Sequence, residues 1–325
     1  MFSDLHEAEI EEILSCFSEA SIAAGETLYI EGDAATSACF VIDGELEALK
    51  ALPGGGETQV GVLGPGSMIG EMALIVGGVR SATVRALAKS TIVKVSYHFF
   101  HAALDQMSVP AFKILRGVIR ALTTRLDGLE TRIFEQLDCE AYTPRSSASA
   151  SKRPLPEETP KKGHSFDYRP FLSIIPSFDT FTETEIDLVI ERAKILELAS
   201  DEFLYREGTQ AEAFYMVVRG AIEHSIVRDR RYQLSIRGPG SLCGANALIA
   251  EAKHKYDARV RSGALLLCFD KAAFQSLFLG EATECLKFQN MVSANQLMEL
   301  KALDNLLTTL VSQSYVLGEN RSRTL

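Results

Sequence analysis

Residues 70–86 read GEMALIVGGVRSATVRA, and they bring together groups suited to holding a phosphate. Gly64, Pro65, Gly66 and Gly70 allow sharp turns, and Glu71 stands where a short helix starts. Arg80 follows the Gly77–Gly78 turn, and Ser81, Ala82 and Thr83 lead into a strand. Helix N-termini and tight glycine turns present convergent N–H groups to an anion. A guanidinium adds a planar, permanently charged fork that bonds phosphate oxygens in pairs. A carboxylate suits a sugar hydroxyl. This is binding chemistry. The six histidines are scattered, and the sequence suggests no Ser-His-Asp set, carboxylate pair or Walker loop, so the chain reads as non-enzymatic. Cys16, Cys39, Cys139, Cys243, Cys268 and Cys285 lie far apart with no CxxC, as expected of reduced, buried thiols rather than a metal site.

The elements that must position this segment occur twice. Glu26, Leu28, Tyr29, Glu31, Gly32 and Gly44 recur as Glu202, Leu204, Tyr205, Glu207, Gly208 and Gly220. GPGSMIGEMALI from Gly64 recurs as GPGSLCGANALI from Gly238, with the intervening loop two residues shorter. Alternation such as Glu45-Leu46-Glu47-Ala48, punctuated by glycine and proline, predicts short half-buried strands in an antiparallel sandwich or barrel. Each copy ends in a long helical pattern. The second copy departs in the cassette itself: Ala245 replaces Glu71 and His254 falls at Arg80, while the framework glycines and Ala247, Leu248 and Ile249 remain. Losing a desolvated charged contact typically costs about 2–5 kcal/mol, so ordinary binding in that copy is not expected. Lys253, His254 and Lys255, and the run Arg228, Asp229, Arg230 and Arg231, read as solvated charged loops.

Gly70-Glu71-Met72-Ala73-Leu74 followed by Arg80-Ser81-Ala82-Thr83-Val84 resembles the cassette of the cyclic nucleotide-binding domain family, which includes bacterial catabolite activators and kinase regulatory subunits. The resemblance covers about residues 2–137. It implies a mainly β fold with flanking helices (α+β): two jelly-roll β-barrels in tandem, each with an N-terminal helix and a long C-terminal helix. It also implies a ligand site of Gly70, Glu71, Met72, Ala73, Arg80, Ser81, Ala82 and Thr83. Glu71 would take the ribose 2′-hydroxyl, Arg80 the exocyclic phosphate oxygens, and N–H groups near Glu71, Ala73, Ser81 and Ala82 would complete the cradle. Ser81 does not separate cyclic AMP from cyclic GMP, and cyclic AMP is preferred.

The domain plan is 1–141, a linker 142–168 rich in Ser, Pro and Lys, a degenerate second domain 169–317, and a frayed tail 318–325. At the start, Leu5, Ile10, Ile13 and Phe17 suggest an amphipathic helix with an acidic face. Leu115, Ile119, Leu122, Leu126, Leu129 and Ile133 form a heptad seam that suggests a homodimer through the helix Leu115–Ile133, and Gly128 weakens that helix. The net charge of −10 argues against nucleic acid as a partner, and no helix-turn-helix follows either copy. No apolar run spans a membrane and the start lacks a signal peptide's order, so a cytoplasmic protein is expected. No basic inhibitor motif precedes the first copy. The reading is therefore a nucleotide sensor that signals by helix rearrangement to a separate effector protein; the competing ones are a constitutive scaffold with vestigial nucleotide binding and, third, a kinase regulatory subunit.

Overall fold

A computed structural model describes residues 5–51, 56–76, 78–137, 172, 175–228 and 231–322. The expected linker 142–168, Gly77, Asp229, Arg230 and Cys139 lie outside the described residues.

The chain divides into two compact units, Met1–Ala121 and Leu122–Leu325. In the first, helix α1 (Glu7–Ile13) passes through a 3-10 turn (Leu14–Cys16) into strand β1 (Phe17–Ile22). Phe17 therefore opens a strand instead of continuing a helical face. Strands β2 (Thr27–Tyr29), β3 (Ser37–Asp43), β4 (Leu46–Ala51), β5 (Glu57–Leu63) and β6 (Met68–Ile69) precede helix α2 (Glu71–Val76). Then come β7 (Thr83–Ala86), β8 (Ser90–Ser96), α3 (Tyr97–Asp105) and α4 (Val109–Gln136). The strands form two four-stranded antiparallel sheets, ordered β1-β8-β3-β6 and β2-β7-β4-β5. Their inward residues, Ile22, Cys39, Val41, Leu46, Ile69, Val84, Ala86 and Ile92, make one apolar core. The sheets are open, so the domain is a jelly-roll sandwich rather than a closed barrel.

The second unit repeats the order: α5 (Glu183–Ile190), β9 (Lys194–Leu198), β10 (Phe203–Tyr205), β11 (Ala213–Val227), β12 (Arg231–Arg237), β13 (Leu242–Cys243) and α6 (Ala245–Ile249). It continues with β14 (Asp257–Asp270), α7 (Lys271–Leu279) and α8 (Thr283–Ser322). Here β11 and β14 are each one long strand where the first copy has two, so the strands form one six-stranded sheet. The junction is Gly220, at φ +93°, where a Cβ would stand 2.7 Å from the Gly263 carbonyl oxygen. Only glycine lets the two long strands bend past each other there. Its counterpart Gly44, at φ +92°, separates β3 from β4.

The helix α8 runs to Ser322, so residues 318–322 are helical, and Arg323, Thr324 and Leu325 lie outside the described residues. The first compact unit, Met1–Ala121, ends inside α4, and the helix beyond Ala121 packs in the second unit, where Gln296 donates to Thr123 Oγ1 at 2.7 Å. All six seam residues, Leu115 to Ile133, are buried within the single chain. Gly128 sits inside α4 without interrupting it. The described cysteines are buried free thiols. Among the described residues no helix is long and apolar enough to cross a membrane, and no His, Cys, Asp and Glu cluster is set to hold a metal.

Candidate functional site

Gly70 takes φ +74° and delivers the chain into α2, whose first residue is Glu71. A Cβ at Gly70 would collide with Arg80 Nη1 and lie 3.3 Å from the Ser37 carbonyl, so glycine is needed for space as well as for φ. Arg80 is fixed at its backbone: its N–H donates to Asp33 O at 2.8 Å, and Gly32 N–H donates to Arg80 O at 3.0 Å. Its guanidinium lies flat over the Tyr29 ring, with Cζ 3.4 Å from the centroid. Nη2 donates to Ser37 Oγ at 3.4 Å, and the Tyr29 hydroxyl bonds the same Ser37 Oγ at 3.2 Å. Burial pushes the Tyr29 hydroxyl up to about 12, so it stays neutral.

Glu71 and Arg80 are both buried, at 6% and 7% exposure. Arg80 Nη1 is buried with no hydrogen-bond partner. A buried cationic donor left open costs about 1–3 kcal/mol or more, and an anion seated there would relieve it. Thr83 behaves differently from the other cassette residues: its Oγ1 accepts from Glu31 N–H at 3.1 Å, a bond within the frame. Met72 and Ala82 are half-buried and Ser81 is exposed, while Ala73 is placed by its backbone in α2. His101 Nε2 bonds Leu74 O at 2.7 Å and ties α2 to α3. An open groove of about 650 Å³ touches the cassette at Gly78 and is lined also by Ser18, Thr36, Ser37, Lys94 and Tyr97.

The second copy keeps this frame and changes its chemistry. His254 N–H donates to Thr209 O at 2.9 Å and Gly208 N–H to His254 O at 2.7 Å, the same pair of bonds that holds Arg80. The imidazole stacks on Tyr205 at 3.7 Å and 7°, as Arg80 does on Tyr29. Burial holds its pKa down to about 4, so it is neutral where the arginine is charged. Ala245 is buried and carries no acceptor. The cavity there is about 40 Å³, against the roughly 300 Å³ or more of ordinary small-molecule sites.

The charged loops of this copy are solvated in part: Lys253 and Arg231 are exposed as expected, and other members are not. His254 is 4% exposed, and Lys255 pairs with Asp127. Arg228 bonds both oxygens of Glu207, at 2.9 and 2.8 Å. Sequence reasoning also passed over the Tyr29 and Tyr205 platforms, although an aromatic at the same place in both copies was a usable signal. A buried network escaped it as well: Arg237 and Asn246 donate to Glu299 at 2.6 and 2.7 Å.

The frame and its two cassettes agree with comparison to known proteins. The family model described as cyclic nucleotide-binding domain matches residues 19–107 and 195–281, more than half of the chain. The cyclic AMP receptor protein of Thermus thermophilus is 25% identical over 136 residues, covering 42% of this chain and 63% of that protein. An uncharacterized ABC transporter ATP-binding protein of Mycobacterium tuberculosis is 37% identical over 81 residues, 25% of this chain and 24% of that protein. The chain thus spans less than two thirds of these relatives. Among solved structures, the regulatory domain of Toxoplasma gondii PKA with cAMP aligns over 86% of this chain and 87% of its own at 19% identity, TM-score 0.31. The N-terminal domain of a Streptomyces coelicolor transcriptional regulator aligns over 39% and 89% at 30% identity, TM-score 0.34. With the glycine-led helix start and the arginine found in one copy and altered in the other, both matched regions fall on the two repeats, and the chain belongs to the cyclic nucleotide-binding domain family.

Proposed function

We propose that the first domain binds one cyclic nucleotide, cyclic AMP in preference to cyclic GMP, and that the protein is a non-enzymatic cytoplasmic sensor signalling to a separate protein. The observation that carries this reading is Arg80: a buried guanidinium, braced on Tyr29, with Nη1 unpartnered beside the start of α2. In this reading Arg80 takes the exocyclic phosphate oxygens and Glu71 the ribose 2′-hydroxyl. Backbone N–H groups near Glu71, Ala73, Ser81 and Ala82 close the cradle. The name of the Thermus thermophilus relative supports the choice of cyclic AMP.

Signal output is read as a change in the helices after the cassette, which the nucleotide drives through its differential affinity for two arrangements. A constitutive scaffold is the second reading, favoured by the altered second cassette with its neutral His254.

Calorimetry on nucleotide-stripped full chain with cyclic AMP and cyclic GMP tests the sensor. Micromolar or tighter binding is expected at one site per chain. Arg80→Ala should weaken it about thirty-fold or more, corresponding to the roughly 2 kcal/mol lower bound for a lost desolvated charge contact. Absence of binding to the stripped wild type would leave the scaffold.

A further inference from the structure

Helix α4 continues beyond Ala121, and its last turns belong to the second compact unit. There they cover the altered cassette. Thr123, Leu126, Asp127 and Glu130 share the wall of the 40 Å³ cavity with Gly244–Ala247 and with Lys253–Tyr256. The contacts are specific. Lys255 pairs with the Asp127 carboxylate and also donates to Asp127 O at 3.1 Å and Thr131 Oγ1 at 3.3 Å. Gln296 Nε2 bridges Thr123 Oγ1 at 2.7 Å and Asn246 Oδ1 at 2.9 Å, tying the helix to the first turn of α6. Leu126 and Glu130 are buried by this packing.

We propose that the second cassette is a receptor for the chain's own helix, with residues Thr123–Thr131 as its resident occupant in place of a nucleotide. The two substitutions that remove nucleotide chemistry fit this occupant. A carboxylate at position 245 would join Glu299 and the protonated Glu130 at the wall of one small cavity, and its charge and that of Glu299 would repel strongly in a site of low dielectric. Ala245 avoids that. A guanidinium at 254 would keep its charge when buried, whereas the imidazole of His254 sheds its proton and rests on Tyr205 without an anion. The cation that the site does use is Lys255, which is turned to Asp127 on the helix. This assignment stands apart from whatever the first cassette binds.

The test uses the full chain without nucleotide and reads hydrogen exchange at residues 122–136. Lys255→Glu and Asp127→Lys should each speed exchange several-fold, and the double exchange of charge should restore most of the protection. Equal exchange in the single variants and wild type, or no recovery in the double variant, overturns the proposal.

A second measurement serves if either reversal fails to fold. Glu130 meets Asp127 on its own helix, Glu299 on α8, Arg237 on β12, and Lys253, His254, Lys255 and Tyr256 on the loop leading to β14. Burial, and then the negative charge of Glu299, push its carboxyl up to about 8. The docked helix therefore holds a proton that a released helix loses above its ordinary value near 4.5, and docking weakens as pH rises toward 8. After correction for intrinsic chemistry, exchange at 122–136 should quicken more than ten-fold from pH 6 to pH 9 in wild type and stay flat in Glu130→Gln. Matching pH profiles for the two proteins would overturn the docking of this face. A nucleotide titration that fills two sites per chain would overturn it as well.

Discussion

Gly66 and Gly70 offer a paired perturbation that separates backbone strain from loss of the anion site. Both take left-handed φ, +85° and +74°, so alanine at either position carries a strain of roughly 1–2 kcal/mol. They differ in what the new Cβ meets. At Gly66 nothing lies within 4 Å, whereas at Gly70 the Cβ runs into Arg80 Nη1. The guanidinium is the far end of a flexible side chain, so the fold relieves the clash by moving it off Tyr29 rather than by unfolding. Moving it also forfeits the cation–π contact, about 0.5–2 kcal/mol. Both variants should therefore melt a few degrees below wild type, Gly70→Ala slightly lower. In calorimetry Gly66→Ala should keep cyclic nucleotide affinity within about three-fold, and Gly70→Ala should lose thirty-fold or more as the phosphate contact goes. Full affinity in Gly70→Ala would refute Arg80 as the phosphate ligand. Equal loss in both variants would show that strain alone, not the position of the guanidinium, controls binding.

Glu299→Ala should destabilise the second unit by about 3–5 kcal/mol in urea unfolding, because it leaves the buried Arg237 and the Asn246 amide without their carboxylate. Acid should weaken the same unit through His254: its folded pKa is lowered from 6.5 to about 4 by burial, so the unfolded chain takes the proton first. Stability then falls as pH drops from 6.5 toward 4, by roughly 3 kcal/mol for this group. The fall of denaturant midpoints across that range should become shallower in His254→Phe, which keeps the stack on Tyr205, with the buried His224 supplying part of what remains. Leu122→Asp places a charge at a fully buried position and should lower the melting temperature sharply. Light scattering of the folded fraction should show no change of mass, whereas a halved mass would show the seam to be a dimer contact.

The repeat and the cassette were legible because both depend on local chemistry: glycines where φ must be positive, and a carboxylate and an arginine at short spacing. The seam from Leu115 to Ile133 was also visible, but apolar periodicity states only that a face is covered, never by what. Here the cover lies within one chain. Similarly, Lys253, His254 and Lys255 look solvated in a sequence because charge correlates with exposure. Lys253 is exposed, but His254 is buried against Tyr205, 49 residues before it, and Lys255 is turned to Asp127, over a hundred residues away. Non-local partners of that kind leave no trace in spacing. Gly318 and the polar residues after it have weak helix propensity, yet α8 continues through them to Ser322.

On the proposed reading, the two copies differ in one feature that makes a cassette need a ligand. Each offers the same platform, a tyrosine ring over which the side chain at 80 or 254 is laid down and desolvated. Burial penalises the charged form of any base, and the response depends on how easily the base can discard its proton. Arginine holds its proton under nearly all conditions, so Arg80 remains a buried cation with an open donor, a state that an arriving anion stabilises. Histidine gives its proton up, and His254 becomes a neutral ring satisfied by stacking. Position 254 then carries no charge for a phosphate to neutralise. The same frame of glycine turns and backbone bonds can then be covered by a helix that brings its own acid to Lys255. The difference between a site that waits for an anion and one that does not thus rests on the acidity of one buried side chain.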